Sequence, residues 1–183
     1  MKLRAELFDI ALANSAEPRD FNFISRVSSE PKMCIGVLFK HLQVDPELTS
    51  VLPFISGICS SDTEIIAFVG NGGNDAGKVF HDMPAIREVI SLPQTLNEAI
   101  RVIRNENLDL LIFANDITAK PSLAAFLSFY RLARRTAVCV STIATTASKY
   151  IDYYLGSSFH AKMGCQLEFS ETFVQVRDLN KCF

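Results

Sequence analysis

The sequence predicts a Rossmann-like α/β domain, with a mainly parallel sheet and helices on both of its faces. Three observations predict it. Short apolar runs recur at Met33–Phe39, Glu64–Val69, Leu108–Phe113 and Ala137–Val140. Segments of helical period lie between them, as crossover helices lie between parallel strands. At 183 residues, with 49% hydrophobic and 21% charged side chains, the chain also has the make-up of one ordinary α/β domain with a core of real size.

The elements follow in order. Lys2–Ala13 reads as a helix with Leu3, Leu7, Ile10 and Ala11 on one face, expected to cover the sheet. Asn14-Ser15 and Glu17-Pro18 break it, and Ser28-Ser29-Glu30-Pro31 is a linker. Residues 1–32 are therefore read as a helix and linker, and 33–183 as the domain. The first strand spans 33–39. Asp45-Pro46 then resembles an N-cap followed by an N1 proline, opening a helix to Ile58. A second strand covers 64–69. Leu96, Ile100 and Ile103 share one face of a helix over Thr95–Asn105. A strand over 108–113, a helix over Pro121–Arg131, and strands near 136–140 and 151–155 complete the pattern.

Composition excludes several functions. A net charge of −2, with no basic run interleaved with aromatics, gives no support for nucleic-acid or acidic-membrane binding. Arg4, Glu6 and Asp9 interrupt the only N-terminal apolar stretch, which argues against a signal peptide, and no run reaches transmembrane length. The five cysteines, at 34, 59, 139, 165 and 182, include no Cys-x-x-Cys pair. They read as reduced thiols in a cytoplasmic or nuclear setting. His81 and His160 stand on no helix with a second ligand at metal spacing, so no metal and no cofactor is expected.

Gly72-Gly-Asn-Asp-Ala-Gly77-Lys78 matches a phosphate loop in spacing alone. Val79 replaces the magnesium-holding hydroxyl, Asp75 brings a carboxylate to where phosphates must sit, and Pro84 interrupts the following helix. A polar surface turn is the better reading. In parallel sheets the ligand crevice lies at the carboxyl ends of the strands. Asn115 and Asp116 directly follow a strand there. The loop Ser141–Ser148, with Ser141, Thr145 and Thr146, follows the next one. Asp152 is a candidate as a functional carboxylate or as a group that orients a loop by satisfying backbone donors. Asp45 is a candidate cleft residue for which helix capping is the favoured role.

Arg131, Ala133, Thr145, Ile151, Asp152 and Tyr153 fall without a gap on a pattern of Arg-x-Ala-Pro-x-Gln, strand, Gly-x-Pro-x-Thr-Ser-Gly and Ile-Asp-Tyr. Ile35-Gly36 upstream, and Phe169-Ser170-Glu171 with Val174–Phe183 downstream, extend the match to about residues 33–183. By these motifs the chain resembles the amino-terminal catalytic lobe of the O-linked N-acetylglucosamine transferase family, including its SPINDLY-type O-fucosyltransferases. The resemblance implies one lobe of a two-lobe (GT-B) transferase that moves a sugar from a nucleotide sugar to protein Ser or Thr hydroxyls. It also implies that Phe169-Ser170-Glu171 opens a helix followed by a strand. Arg134, Thr136, Ser141, Ile143 and Ala147 depart from the family's Pro, Gln, Gly, Pro and Gly. Asp45 stands where the family has a histidine, before Pro46.

The expectation is thus a transferase lobe that meets its nucleotide sugar and protein acceptor only with a second lobe, and is inactive alone. The apolar end at Lys181-Cys-Phe183 is expected to be the end of a piece of a longer protein. The alternative is a non-catalytic binding or scaffold module derived from the same family. Without the second lobe the crevice edge, Ile143 included, is expected to be exposed and apolar, so that the chain self-associates or takes a partner.

Overall fold

In the computed structural model the chain forms one seven-stranded, wholly parallel sheet. The structure describes residues 2–25, 32–41, 46–71, 80, 86–139, 142, 144–162 and 169–176. In chain order the elements are α1 (Lys2–Ala11), β1 (Met33–His41), α2 (Pro46–Ile58), β2 (Thr63–Asn71), β3 (Ile86–Ser91), α3 (Leu96–Asn105), β4 (Leu110–Phe113), α4 (Leu123–Leu127), β5 (Arg135–Cys139), β6 (Tyr153–Gly156), α5 (Ser158–Lys162) and β7 (Thr172–Gln175). The strands lie in the order β3-β2-β1-β4-β5-β6-β7. The order in which strands are added reverses between β1 and β4, and the carboxyl ends of that parallel pair form the switch point of the sheet.

The expected Rossmann-like architecture is therefore present. Strands β1, β2, β4 and β5 are apolar on both faces because both faces are covered. One face carries α1, α3 and α4 over Leu38, Phe68, Leu111, Phe113 and Val138. The other carries α2, through Leu48, Val51 and Ile55, over Ile35, Val37, Ile65 and Ala67. Those three helical residues recur at the spacing of one face, and each buried branched side chain contributes about 1.5–3 kcal/mol. Gly36 lies in β1 on the α3 side. A Cβ there would come within 2.6 Å of Leu108 Cδ1 and 2.9 Å of Leu111 Cδ1, so any side chain at this position would force those leucines to shift.

Four sequence expectations are corrected. It is Phe8 of α1 and Leu12 just past its end that face the core, whereas Leu3, Leu7 and Ile10 are 68%, 58% and 73% exposed. Phe8 stacks on Phe129 at 4.5 Å between ring centroids and tilts against Phe126 at 5.0 Å. Such ring pairs add about 0.5–1.5 kcal/mol beyond area burial, which selects this stripe over its rival. Helix α4 is one short turn and a half rather than a helix over 121–131. Strand β3 was not expected at all. Glu171 opens no helix: it stands directly before β7.

Residues 15–25 are bound to the domain rather than free of it. Arg104, buried in α3, donates through Nη2 to the Pro18 carbonyl at 2.7 Å and through Nε to the Arg131 carbonyl at 3.1 Å. Its guanidinium lies 4.5 Å from the Phe21 ring centroid. Burial pushes Arg104 below the ordinary arginine range, opposed by the Glu17 carboxylate. The Arg131 amide donates to the Arg19 carbonyl at 2.8 Å, and Arg134 reaches the Ile24 carbonyl. Arg134, a departure from the family's proline, thus has a structural task here.

Candidate functional site

The crevice expected of such a sheet lies beyond the carboxyl ends of β1 and β4. Asn115 follows β4 there, and its buried side chain accepts the Lys40 amide through Oδ1 at 2.7 Å. The Ala114 amide donates to the Leu38 carbonyl at 2.9 Å, so the two strand ends are tied together twice. Asp116 folds back on its own loop. Its Oδ1 accepts the Thr118 amide at 2.7 Å and the Thr118 hydroxyl at 2.6 Å, the pattern of an Asx turn. Both carboxyl-edge candidates thus hold backbone in place. Asp45 and Ser141 lie outside the described residues, as do the Gly72–Lys78 loop, His81 and Ile143.

Beside the switch point, on the α3–α4 face, a cleft of about 200 Å³ opens between Leu38, Lys40, Gly70, Leu92, Gln94 and the start of α4. Gln94 Nε2 donates to the Gly70 carbonyl at 2.8 Å and closes one wall. Ser122 caps α4, its Oγ accepting the Ala125 amide at 3.2 Å.

The Ser141–Ser148 loop does not stay at this edge. The Thr142 amide still bonds to the Cys139 carbonyl at 2.8 Å, but by Thr145 the chain has crossed to the amino edge. There Thr145 Oγ1 donates to Glu171 Oε2 at 2.7 Å and lies 2.8 Å from Ser170 Oγ. Thr146 donates to Glu171 Oε1 through its amide, at 2.8 Å, and through its hydroxyl. Glu171 and Thr146 are both buried, so each satisfies groups that could not reach water. Ala147 follows with φ of 54°, in the left-handed region, at the position where the resembled family has glycine. The backbone has kept a glycine-type conformation around an alanine.

Asp152 is also at the amino edge. Its Oδ2 accepts Arg131 Nη1 at 2.6 Å and the Thr136 amide at 2.8 Å. Its own amide donates to the Thr136 carbonyl at 2.8 Å, which aligns β6 beside β5. Of the two roles open to Asp152 from sequence, the geometry is that of a loop-orienting carboxylate.

The structure therefore divides the candidates. Thr145 and Thr146 share the Glu171 carboxylate, Asp152 stands with Arg131, and Asn115 and Asp116 lie at the opposite edge. Two residues not on the candidate roll emerge. Glu171 had a signal, since Phe169-Ser170-Glu171 is among the residues that carry the resemblance. Lys40 had none beyond its place at a strand end. His160 lies just past the carboxyl end of β6, with Nδ1 2.8 Å from Ser157 Oγ, and burial holds its imidazole below the usual histidine range.

The apolar edge expected from a missing second lobe is not seen among the described residues. Ile117, Thr142, Thr146 and Ser148 are buried, and the large exposed apolar side chains are Leu3, Leu7, Ile10, Phe21, Ile24, Met33 and Val174. Cys34 and Cys139 are buried free thiols, as expected for reduced core cysteines. Among the described residues no group of three His, Cys, Asp or Glu stands together as a metal site would need, and no helix is long and apolar enough to cross a membrane.

No family model matches this sequence, and no curated protein matches it. Among solved structures the chain is similar to a mutant of the O-GlcNAc transferase of Thermobaculum terrenum, with a TM-score of 0.70 and 17% sequence identity. The match covers 96% of this chain and 34% of that one, so this chain spans about a third of its length. At that identity the likeness carries the fold alone: the chain shares a Rossmann-like, parallel α/β architecture with part of that structure.

Proposed function

We propose that this chain is the amino-terminal lobe of a two-lobe protein O-glycosyltransferase, moving a sugar from a nucleotide sugar to a Ser or Thr hydroxyl, and that the lobe alone transfers none. The observation that carries this reading is the cleft at the carboxyl edge. Its volume, about 200 Å³, falls below the roughly 300–1,000 Å³ of pockets that enclose a drug-sized ligand. A nucleotide sugar then needs a second wall, which a facing lobe would supply. Transition-state groups act together only when held to a fraction of an ångström, so half a site contributes little. A cytoplasmic or nuclear location belongs to the same reading and is supported by the buried free thiols.

A second reading, a non-catalytic binding or scaffold module, has an observation of its own. Asn115 and Asp116, at the edge where ligands of such sheets bind, spend their side chains on groups of the chain itself. The test has two steps. The isolated chain is incubated with UDP-N-acetylglucosamine or GDP-fucose and a Ser/Thr peptide, and the peptide is weighed by mass spectrometry. No mass gain above a protein-free control is expected, and clear product overturns the half-site reading. Sequencing the transcript past the Phe183 codon separates the two readings. A downstream nucleotide-binding lobe supports the first, and an immediate in-frame stop the second.

A further inference from the structure

The cleft beside the switch point has a chemistry of its own. Leu38, Leu92, Leu123, Ala124 and Leu127 line it with hydrocarbon. Leu38 and Lys40 are two residues apart on β1, so their side chains leave the same face of the sheet. Among the described residues of the lining Lys40 is the charged one, and none of them is Asp or Glu. Among the described residues, no carboxylate lies within ion-pair distance of the Lys40 ammonium. Ser122 keeps its hydroxyl hydrogen while its oxygen accepts the Ala125 amide, leaving a second donor at the rim. Gly70 contributes to the enclosure by having no side chain: a Cβ there would stand 3.1 Å from the Lys40 carbonyl oxygen.

We propose that this cleft binds a carboxylate carried on a short aliphatic stem. One ammonium balances one negative charge, whereas a phosphate dianion would keep an unbalanced charge beside leucines. The leucine walls favour a few methylenes over a fully hydrated ion. The volume admits a short chain and excludes a sugar nucleotide. Two sources share this chemistry: a free short-chain monocarboxylic acid, and a glutamate side chain of a docking polypeptide. The inference concerns the same cleft as the transferase reading but needs no second lobe, so carboxylate binding and sugar transfer fail or succeed independently.

Nitrogen-edited NMR titration of the full chain tests it with butyrate, the α-amide of N-acetylglutamate, butylamine and inorganic phosphate. Saturable shifts at Lys40, Leu123 and Leu127 are expected with the two carboxylates, with affinity on the order of millimolar for so few atoms. Tighter binding of butyrate identifies a free acid as the source, and tighter binding of the glutamate amide identifies a polypeptide side chain. Lys40→Met should weaken binding about tenfold or more, the usual worth of a hydrogen bond to a charged group. Lys40→Arg should retain it, and the melting temperatures of both variants control for folding. The proposal is overturned if neither carboxylate gives saturable shifts at these residues. Equal response to butylamine or phosphate, or unchanged butyrate affinity in Lys40→Met, overturns it too.

Discussion

At the amino edge of the sheet, Asp152 gathers donors from Arg131 and Thr136 and Glu171 from Thr145 and Thr146, and a set of arginines ties residues 15–25 to the domain. Among the described residues of the carboxyl edge, Asn115 holds one amide, Asp116 bonds within its own loop, and Lys40 faces a small cleft. The residues that resemble a transferase family sit mostly at the first edge. Arg131, Thr145, Asp152, Ser170 and Glu171 belong to it, and each makes a bond that positions backbone or another side chain. What likeness there is therefore resides in residues that hold the fold, while ligands of such sheets bind at the other edge. Residues that hold an architecture and residues that hold a ligand can therefore vary independently.

The largest expected effect falls on Glu171. Replacing it by alanine leaves the buried Thr146 amide and hydroxyl without their acceptor and frees Thr145. Each buried group left unsatisfied costs about 1–3 kcal/mol, so a loss of roughly 3 kcal/mol is expected in urea unfolding. Gln94→Ala at the carboxyl edge removes one exposed bond to the Gly70 carbonyl and should cost no more than about 1 kcal/mol. Equal losses at the two sites would erase the distinction between the edges.

Most of the sheet was legible because β1, β2, β4 and β5 are buried on both faces and so read as continuous apolar runs. Strand β3 was not, for the converse reason. As an edge strand it exposes Arg87, Glu88 and Ser91, and six residues of that kind carry no run to detect. In α1 two apolar stripes compete, Leu3-Leu7-Ile10 and Phe8-Leu12. Only the placement of Phe126 and Phe129, more than a hundred residues on, decides between them. The loop after β5 misled for a topological reason: a strand end predicts where a loop starts, not where it goes. Thr145 and Thr146 reach Glu171 because the loop descends along the domain, and local sequence carries no sign of that descent.

A smaller effect of opposite sign is expected at Ala147. A left-handed alanine costs about 1–2 kcal/mol, of which glycine gives back part through its freer unfolded chain. Ala147→Gly should therefore stabilise the protein by roughly 0.5–1 kcal/mol, raising the melting temperature by about 2 °C. A lower melting temperature would mean that the alanine methyl contributes packing that outweighs its backbone strain. The amino edge would then be shaped by this chain's own packing more than by the conformation shared with the family.

The smallest effect tests the carboxyl edge through His160. The imidazole packs edge-on to Tyr154 at 6.0 Å between ring centroids, and its Nδ1 lies 3.3 Å from the Ser157 amide and 2.8 Å from the Ser157 hydroxyl. An amide can only donate, so Nδ1 accepts and the ring is neutral with its proton on Nε2. Burial lowers the pKa from its ordinary value of 6.5. A folded-state pKa below the unfolded one means that the unfolded chain takes up a proton first as pH falls. The stabilising contribution is therefore complete above about pH 6.5 and is lost as pH drops through the lowered folded value. Melting temperature should thus decline between pH 7.5 and pH 5 more steeply in the parent chain than in His160→Asn, which keeps a polar side chain but has no imidazole to protonate. Parallel curves for the two proteins would show that His160 does not titrate differently on folding. The turn after β6 would then contribute nothing pH-dependent to stability through this imidazole.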